Sequence, residues 1–554
     1  MMAVGRMHVP LLPACSSTSF SKESGLDEVD PQILKKIHLS LKYPWWTKMV
    51  LVTSEDEFDT QRGKMSLETR HAPRLHRVCL VCDFFYPSMG GVENHVHQLA
   101  QCLLRLGHKV IVVTHKYGSR AGVRWLAAGL KVYHVPLPAV YDRCLLPTSV
   151  VLLPLFRDIL VRERITLVHS HAICTMALEC VTLATTLGYH VVYTEHSNFG
   201  FADPADIHLN QLCRFVLTQA DTIITVSHTS KENISLRCHL DPQHIFVIPN
   251  AFDATQFRPN PDNVRPQGCV NIVVMTRLVW RKGTHLLVQL IPEVCQRFPY
   301  AYFIIGGDGP NRGALVEMIE RHQLHDRVEM LGAVPHSDVP GVLTRGHIFL
   351  NTSLTEAFCI AILEAVSCGL YVVSTRVGGV PEILPSHMLT LIEPHAALLI
   401  SAISELIPFV RKRPPPNFHA DISRMYTWMQ VAERTTKVYD LVSQRARPSF
   451  SVQLKGLSTL FPFFASLSLL VTLVAQRFLL MLLLRFHPEV GIDVCPDFHN
   501  EEWVSRRMKV ESFPVNEQSL AALFSKRRFV MNGKHLFGAA DATTSPHHDA
   551  ARGQ

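Results

Sequence analysis

The chain has 554 residues, 47% of them hydrophobic and 18% charged, with a formal net charge of +7. That length has room for two large domains plus extras, and so modest a charge spread over it is no nucleic-acid footprint, while it is compatible with an anionic membrane surface. The 14 cysteines are scattered and several fall inside apolar strands (Cys79, Cys82, Cys174, Cys359), which argues for reduced core thiols in a cytosolic compartment rather than a disulfide framework.

Residues 1–75 carry no long apolar run and crowd acids between Glu23 and Asp30, so they are expected to be a poorly ordered N-terminal extension without a secretory signal. Alternating α/β sequence begins at Val78. RVCLVCDFF (77–85) predicts a strand and PSMGG (87–91) a loop; a helix follows, with Val92, Val96, Leu99, Leu103 and Leu106 at helical spacing. Further strands are expected near 109–114, 130–135, 165–169, 190–194, 222–226 and 245–248, with helices between them. The Pro- and Asn-rich stretch 257–268 is the expected linker between an N-terminal Rossmann-like domain (76–256) and a C-terminal one (269–425). The second half restarts at Val270 and continues with strands beginning near Ala301, Val328, His347 and Leu370. Two successive sets of alternating strands and helices predict an α/β fold of two doubly wound domains facing a cleft.

Residues 426–445 predict an amphipathic helix after the second domain. From Leu457 to Ala475 there is no charged residue, and after Gln476-Arg477 the apolar run resumes. Those nineteen residues would reach roughly 30 Å as a helix, one bilayer core, so 457–484 is expected to be a transmembrane helix; a buried soluble helix is the alternative. Arg445, Arg447 and Lys455 on its amino-terminal side lean toward a cytosolic catalytic part. Residues 485–554 form the expected tail, partly disordered.

Glu356 and Glu364 stand eight residues apart between two predicted strands, one on a loop and one on the following helix. In such a βαβ unit both would lie at the carboxyl edge of the sheet, where open α/β sheets bind ligands, and ionised carboxylates there suit sugar hydroxyls. The backbone N–H groups near Ala357 and Phe358 would open the helix toward the same crevice and favour an anion. Taken alone, the two acids equally suit a plain helix start. Arg277 and Lys282 at the end of the first strand of this half fit a diphosphate, Arg by a forked contact and Lys as a point charge; a solvated basic loop is the plainer alternative. Gly306, Gly307, Gly309 and Pro310 form a turn that permits close backbone approach to a ligand, although such turns also simply reverse the chain. Gly90 and Gly91 are its counterpart in the first half. His196, just past a strand, is either a catalyst or a satisfied hydrogen-bonder. His169 and His171 lack a third ligand at recognisable spacing, so no metal site is expected.

Together these pieces resemble the retaining GT-B glycosyltransferases of family four. The longer runs DFFYPSMGGVE (83–93), IIGGDGP (304–310), GHIFLNTSLTEAFC (346–359) and VSTRVGGVPE (373–382) narrow the likeness to the branch that begins GPI-anchor synthesis, over roughly residues 77–445. The resemblance implies transfer of GlcNAc from UDP-GlcNAc to the inositol of phosphatidylinositol with retained configuration, without a metal or other cofactor. It further implies membership of a multi-protein complex at the endoplasmic reticulum membrane, single-pass, with the catalytic part cytosolic and a short lumenal tail. By the same resemblance Arg277 and Lys282 neutralise the leaving diphosphate, Glu356 holds a sugar hydroxyl and Glu364 binds the ribose. Gly306 to Pro310, Ala357 and Phe358 line the donor, Gly90, Gly91 and His171 serve the acceptor or phosphate, and His196 orients donor and acceptor. A membrane-bound retaining glycosyltransferase with another nucleotide sugar or lipid, and a non-catalytic GT-B scaffold, are the alternatives.

Overall fold

Val-, Ile- and Leu-rich runs buried on both faces form the strands of two mostly parallel sheets, as expected where helices cover each side. The computed structural model describes residues 74–88, 90–139, 144, 145, 148, 151–200, 204–260, 268–447, 454 and 463–495. All but residues 74 and 75 of the expected N-terminal extension lie outside the described residues, as do positions 496–554 of the expected tail.

The first sheet uses β1 (Arg77–Val81), β2 (Lys109–Lys116), β3 (Gly122–Trp125), β4 (Lys131–Pro138), β5 (Leu167–His171), β6 (His190–Glu195), β7 (Thr222–Thr225) and β8 (Ile245–Val247). Their order is β3-β4-β2-β1-β5-β6-β7-β8, and only β3 against β4 is antiparallel. The second sheet uses β9 (Val270–Met275), β10 (Ala301–Gly306), β11 (Val328–Gly332), β12 (Ile348–Asn351), β13 (Tyr371–Thr375) and β14 (Leu389–Ile392), ordered β11-β10-β9-β12-β13-β14 and parallel throughout. The two doubly wound sheets expected from the alternating pattern are therefore present. β3 is exposed and β14 short, and neither carries an apolar run that announces it.

Strand order reverses at β1, flanked by β2 and β5, and at β9, flanked by β10 and β12. Crevices for ligands open beyond the carboxyl ends at such switch points. Arg277 and Lys282 follow β9, and Glu356 follows β12, so one switch point gathers all three. In the other sheet the loops after β1 and β5 carry Gly90 and Ala172, and His196 follows the neighbouring β6.

Asp83, just past β1, is fully buried: its Oδ2 accepts from Met176 N at 2.8 Å and its Oδ1 from Leu145 N at 3.0 Å. It thereby serves the first turn of the Thr175–Thr186 helix, whose own N-cap Cys174 supplies no side-chain bond. The Trp428–Ser443 helix, capped by the Thr427 hydroxyl, runs back onto the first half. It packs on the Gly91–Arg105 helix and bonds through Thr436 to His108 (3.0 Å), through Tyr439 to His169 (2.7 Å) and through Asp440 to His76 (2.8 Å).

Phe257, expected to open the linker, is instead fully buried and packs with Phe252 among core residues of the second half, while Ser367 donates to its carbonyl at 2.6 Å. A large apolar ring is worth about 1.5–3 kcal/mol when removed from water, which is reason enough for it to leave a linker path. The apolar helix is described over Phe463–Phe486, positions 457–462 of the expected span lying outside the described residues, and its inner face joins the core of the first half through Leu473, Leu469, Leu470, Leu479 and Leu483.

Glu163 is fully buried at the end of the Leu152–Arg162 helix. It accepts from Lys131 and from the Tyr133 hydroxyl, with Lys109 at 3.1 Å. Burial alone would raise its pKa, but the Lys131 and Tyr133 hydrogen bonds and the two cations outweigh it and hold the carboxyl below its ordinary value. Its stabilising contribution is therefore complete above the ordinary carboxyl range and lost as pH falls through the folded value. Glu163→Ala strands two buried ammonium groups and should lower stability by about 3–5 kcal/mol. The urea midpoint of the detergent-solubilised chain measures this; a loss under about 1 kcal/mol, the scale of an exposed pair, would show the network to be dispensable.

Candidate active site

In the second half a short turn, Trp280–Lys282, follows β9, and backbone ties fix it: Thr352 Oγ1 donates to Lys282 O at 3.0 Å and Leu354 N to Arg281 O at 2.9 Å. This brings Lys282 Nζ onto Glu356 Oε1 as an ion pair, and the Ser353 hydroxyl donates to the same oxygen at 2.7 Å. Both partners are partly buried, at 19% and 11% side-chain exposure, so the pair is less screened than a surface one. Arg277 stands exposed nearby in sequence with no partner for its guanidinium among the described residues. A held ammonium and an uncommitted guanidinium at one switch point suit a ligand with two adjacent phosphates.

The Gly306–Pro310 turn packs on this loop rather than merely clearing space for a ligand. Gly307 has φ +142°, and a Cβ there would stand 1.7 Å from Thr276 O. Leu278 N donates to Asp308 O at 2.9 Å, so the turn buttresses the segment that carries Arg277. Glu364 lies one turn into the Ile360–Ser367 helix, only 7% exposed, with His336 Nε2 at 3.2 Å from its Oε1. That hydrogen bond raises the His336 pKa, against the opposing effect of burial. Ala357 and Phe358 precede the helix, which begins at Ile360, instead of forming its first turn. Phe358 is buried against Tyr426, with ring centroids 5.9 Å apart, so its side chain belongs to the core.

In the first half, His95, His171 and His196 form a buried to half-buried cluster with His169 behind it. His171 Nδ1 and His196 Nε2 share a hydrogen bond of 3.3 Å, His95 Nδ1 bonds Asn250 Oδ1 at 2.8 Å, and the His95 and His196 rings meet edge to face at 4.5 Å. His169 is satisfied on both nitrogens, by Tyr439 and Thr194, at 2.7 Å each. Burial lowers His95 to about 4 and pushes His171 and His196 well below the ordinary imidazole value, with neighbouring rings adding to the effect. The cluster is neutral near pH 7. Ligand atoms of His95, His171 and His196 lie within 4.8 Å of one another, so these three could meet at one ion. As they stand, two of the nitrogens bond each other and a third is committed to Asn250, which leaves the arrangement closer to a hydrogen-bonded stack than to an open tetrahedral site.

Glu195 sets the His196 loop. Its Oε1 accepts from His196 N (2.9 Å) and Ser197 N (3.0 Å), while its Oε2 faces Arg237 at 3.3 Å, both side chains being buried. Burial raises the Glu195 pKa and Arg237 works the other way. The two halves meet two residues further on, where Asn198 Nδ2 donates to Glu356 O at 2.9 Å. Gly379 N donates to that same carbonyl, also at 2.9 Å, and a Cβ at Gly378 (φ +51°) would stand 2.0 Å from it. Beside this contact, Glu382 accepts from His228 N and Thr229 N at 2.7 and 2.8 Å, capping the His228–Cys238 helix from across the junction.

The Gly90-Gly91 loop is already furnished with an anion. Glu93 folds back so that a Cβ on Gly90 would stand 2.4 Å from its Oε2, and Ser88 donates to its Oε1 at 3.0 Å. A phosphate approaching this loop meets that carboxylate. Among the residues that sequence reasoning missed, Glu93 left a signal, an acid in the first turn after the glycines. Asn198, His95, Asn250 and His336 left none, being single polar residues without periodicity.

The chain matches the family PIGA (GPI anchor biosynthesis) over residues 115–203 and the family Glycosyl transferases group 1 over residues 261–407. Among solved structures it is similar to sucrose-phosphate synthase from Thermosynechococcus elongatus (TM-score 0.54, 19% identity, covering 66% of this chain and 99% of that one). Anabaena HepE in complex with UDP and glucose is a comparable neighbour (TM-score 0.51, 19% identity, 66% and 99%). Both show the GT-B fold. Homologous subunits of phosphatidylinositol N-acetylglucosaminyltransferase are far nearer in sequence. The human one is 52% identical over 377 residues, covering 67% of this chain and 78% of the human protein. Its Arabidopsis thaliana namesake is 49% identical over 427 residues, covering 77% of this chain and 95% of the plant protein. The gpi3 subunit of Schizosaccharomyces pombe is 46% identical over 366 residues, covering 66% of this chain and 80% of the yeast protein. On that coverage and identity the chain belongs to this family of phosphatidylinositol N-acetylglucosaminyltransferase subunits, which are glycosyltransferases.

Proposed function

We propose that this chain carries the catalytic site for moving GlcNAc from UDP-GlcNAc to the inositol of phosphatidylinositol, the opening step of GPI-anchor synthesis, with retained configuration. The observation that carries the site assignment is the Lys282–Glu356 pair at the β9/β12 switch point with Arg277 uncommitted beside it. The bond from the sugar's anomeric carbon to the UDP phosphate oxygen breaks, and the inositol oxygen bonds the same face of that carbon. The inositol proton passes to the departing phosphate oxygen. Arg277 and Lys282 stabilise the charge that develops on the diphosphate, a task they can perform without a metal ion or other cofactor. Glu356 keeps Lys282 in place and offers its second oxygen to a sugar hydroxyl. Glu364 accepts from the ribose, with His336 setting its orientation. Gly306 to Pro310, through the loop they support, and the backbone at Ala357 and Phe358 border the donor.

On the other wall His196, held neutral by burial, orients donor sugar and acceptor without adding a positive charge beside a developing oxocarbenium centre. His171 supports it from behind, and the Gly90-Gly91 loop takes the acceptor side, with Glu93 better suited to inositol hydroxyls than to phosphate. The chain works within a larger transferase complex, at the endoplasmic reticulum membrane with these two halves on the cytosolic face. The apolar helix is its attachment to the membrane; the sequence alone makes that a single crossing with a lumenal tail.

Membranes from cells lacking the first GPI step, rescued with this chain and supplied with labelled UDP-GlcNAc, should transfer label into phosphatidylinositol. Glu364→Ala should abolish most of that transfer; equal transfer by both forms would place the donor site elsewhere. Lys282→Ala should lower turnover by about 10²–10³-fold, the scale of removing one transition-state donor, while donor binding weakens less. Unchanged turnover would remove Lys282 from the role. Glu195→Gln, which keeps an acceptor for His196 N, should retain transfer within about tenfold; Glu195→Ala strands buried Arg237 and should cost about 3–5 kcal/mol of stability, read as a lowered urea midpoint.

A further inference from the structure

The His228–Cys238 helix of the first half carries no acid in its first turn. Its N-cap Ser227 accepts from Ser230 N at 3.1 Å, which leaves the N–H groups of His228 and Thr229 for another partner. That partner comes from the second half. Glu382 Oε2 accepts from His228 N at 2.7 Å, and its Oε1 accepts from Thr229 N at 2.8 Å and from the Thr229 hydroxyl at 2.6 Å. A carboxylate placed there meets the positive end of the helix dipole through charge-assisted bonds.

The turn that delivers Glu382 leaves room for so close an approach. A Cβ on Gly379 would stand 2.6 Å from Ser227 Oγ, and one on Gly378 3.0 Å from Asn198 Nδ2. From the helix the contacts return to the donor side of the cleft. Ser230 Oγ donates to Asn198 Oδ1 at 2.8 Å, Asn198 Nδ2 to Glu356 O at 2.9 Å, and Gly379 N to the same carbonyl at 2.9 Å. Glu382, the helix start, Asn198, Glu356 and the turn at Gly378-Gly379 thus close a ring that crosses between the halves twice. His196 lies two residues before Asn198, and Lys282 is paired with the Glu356 carboxylate, so the ring sets one wall against the other.

We propose that Glu382 is a positioning residue for the transfer: by holding the His228–Cys238 helix it fixes the approach of the two halves, and with it the place of His196 relative to the donor. This rests on the reaction proposed above. Glu382 is only half-buried, so parting the halves returns its carboxylate and the two N–H groups to water at small cost. The tie can therefore break and re-form in each cycle, as release of UDP requires. Arg277, Lys282, Glu356 and Glu364, the side chains assigned to the donor, all belong to the second half. Donor binding then does not need the tie, whereas transfer, which uses both walls, does.

The full chain in rescued membranes, and in the complex solubilised from them, tests this with Glu382→Ala and Glu382→Gln, the second keeping one acceptor oxygen. Glu382→Ala should lower transfer at saturating UDP-GlcNAc by at least about tenfold while UDP affinity stays within about threefold, and Glu382→Gln should fall between it and the parent. Hydrogen exchange reads the tie apart from the chemistry. The amides of residues 228 and 229 should exchange at least about tenfold faster in Glu382→Ala, with those of β9 unchanged. Transfer within about twofold of the parent, or UDP affinity lost in step with transfer, would overturn the role. Unchanged exchange at residues 228 and 229 would overturn it too, since the tie would then not form. A parent chain that moves no GlcNAc would instead strike the proposed reaction, and the exchange comparison would still decide whether Glu382 ties the halves.

Discussion

The carbonyl of Glu356 is one of the ties between the two Rossmann sheets, and its carboxylate orders the loops of the second. The carboxylate takes Lys282 from the β9 loop, and the carbonyl takes Asn198 from the first half and Gly379 from the β13 loop. One residue therefore holds the Lys282 ammonium and, together with Glu382, ties the two walls of the cleft. A shift of the junction by an ångström would move His196 relative to Lys282, because Asn198 is only two residues beyond His196. Orientation of reacting groups contributes several kcal/mol to catalysis, so the hydrogen bonds between the halves bear on any reaction in the cleft.

Burial acts with opposite purposes on the two walls. In the second half the charges are kept: Lys282 and Glu356 neutralise each other in a partly buried pair. In the first half charge is suppressed. Packing four histidines with Trp428 and Tyr439 from the returning helix strips most of their hydration, so the imidazoles stay neutral at pH 7. A neutral ring can accept or donate a hydrogen bond to a hydroxyl without repelling a sugar centre that is turning positive. The Trp428–Ser443 helix, which comes after the second domain in sequence, is thus part of the first domain's chemistry.

Much of this was legible in the residues. β-branched runs ending in glycine or a charged residue marked most of the strands, and the eight-residue spacing of Glu356 and Glu364 set one on a loop and one a turn into a helix. What the glycine turns and the linker pack against was not legible. Gly307 serves its neighbouring backbone, Gly90 faces Glu93, and Phe257 leaves the linker for the core. Hydrogen-bond partners such as Asn198 for Glu356 and His336 for Glu364 come from segments 158 and 28 residues distant, and no local pattern encodes such a meeting. The charge-free stretch 457–475 left a crossing and a buried helix both open for a physical reason: burial against protein and burial in lipid ask for the same lack of charge.

The packing of the apolar helix on the first half also has a consequence for a lipid acceptor. A helix joined to its domain by a flexible linker alone leaves the height and tilt of the cleft free. A helix packed along the domain over about 36 Å fixes both, since the surface that meets lipid is then rigid with the sheet. Phosphatidylinositol presents its inositol ring only a few ångströms above the headgroup plane, and its two acyl chains keep it there. Confinement to a surface raises the effective concentration of the acceptor whichever anchor is used. Only a fixed height converts that concentration into correctly oriented encounters, because the cleft must meet a ring that cannot rise to it. The packing of Leu473 and Gln476 against the first half is on this argument part of acceptor recognition, although neither residue lies near the cleft's catalytic side chains in sequence.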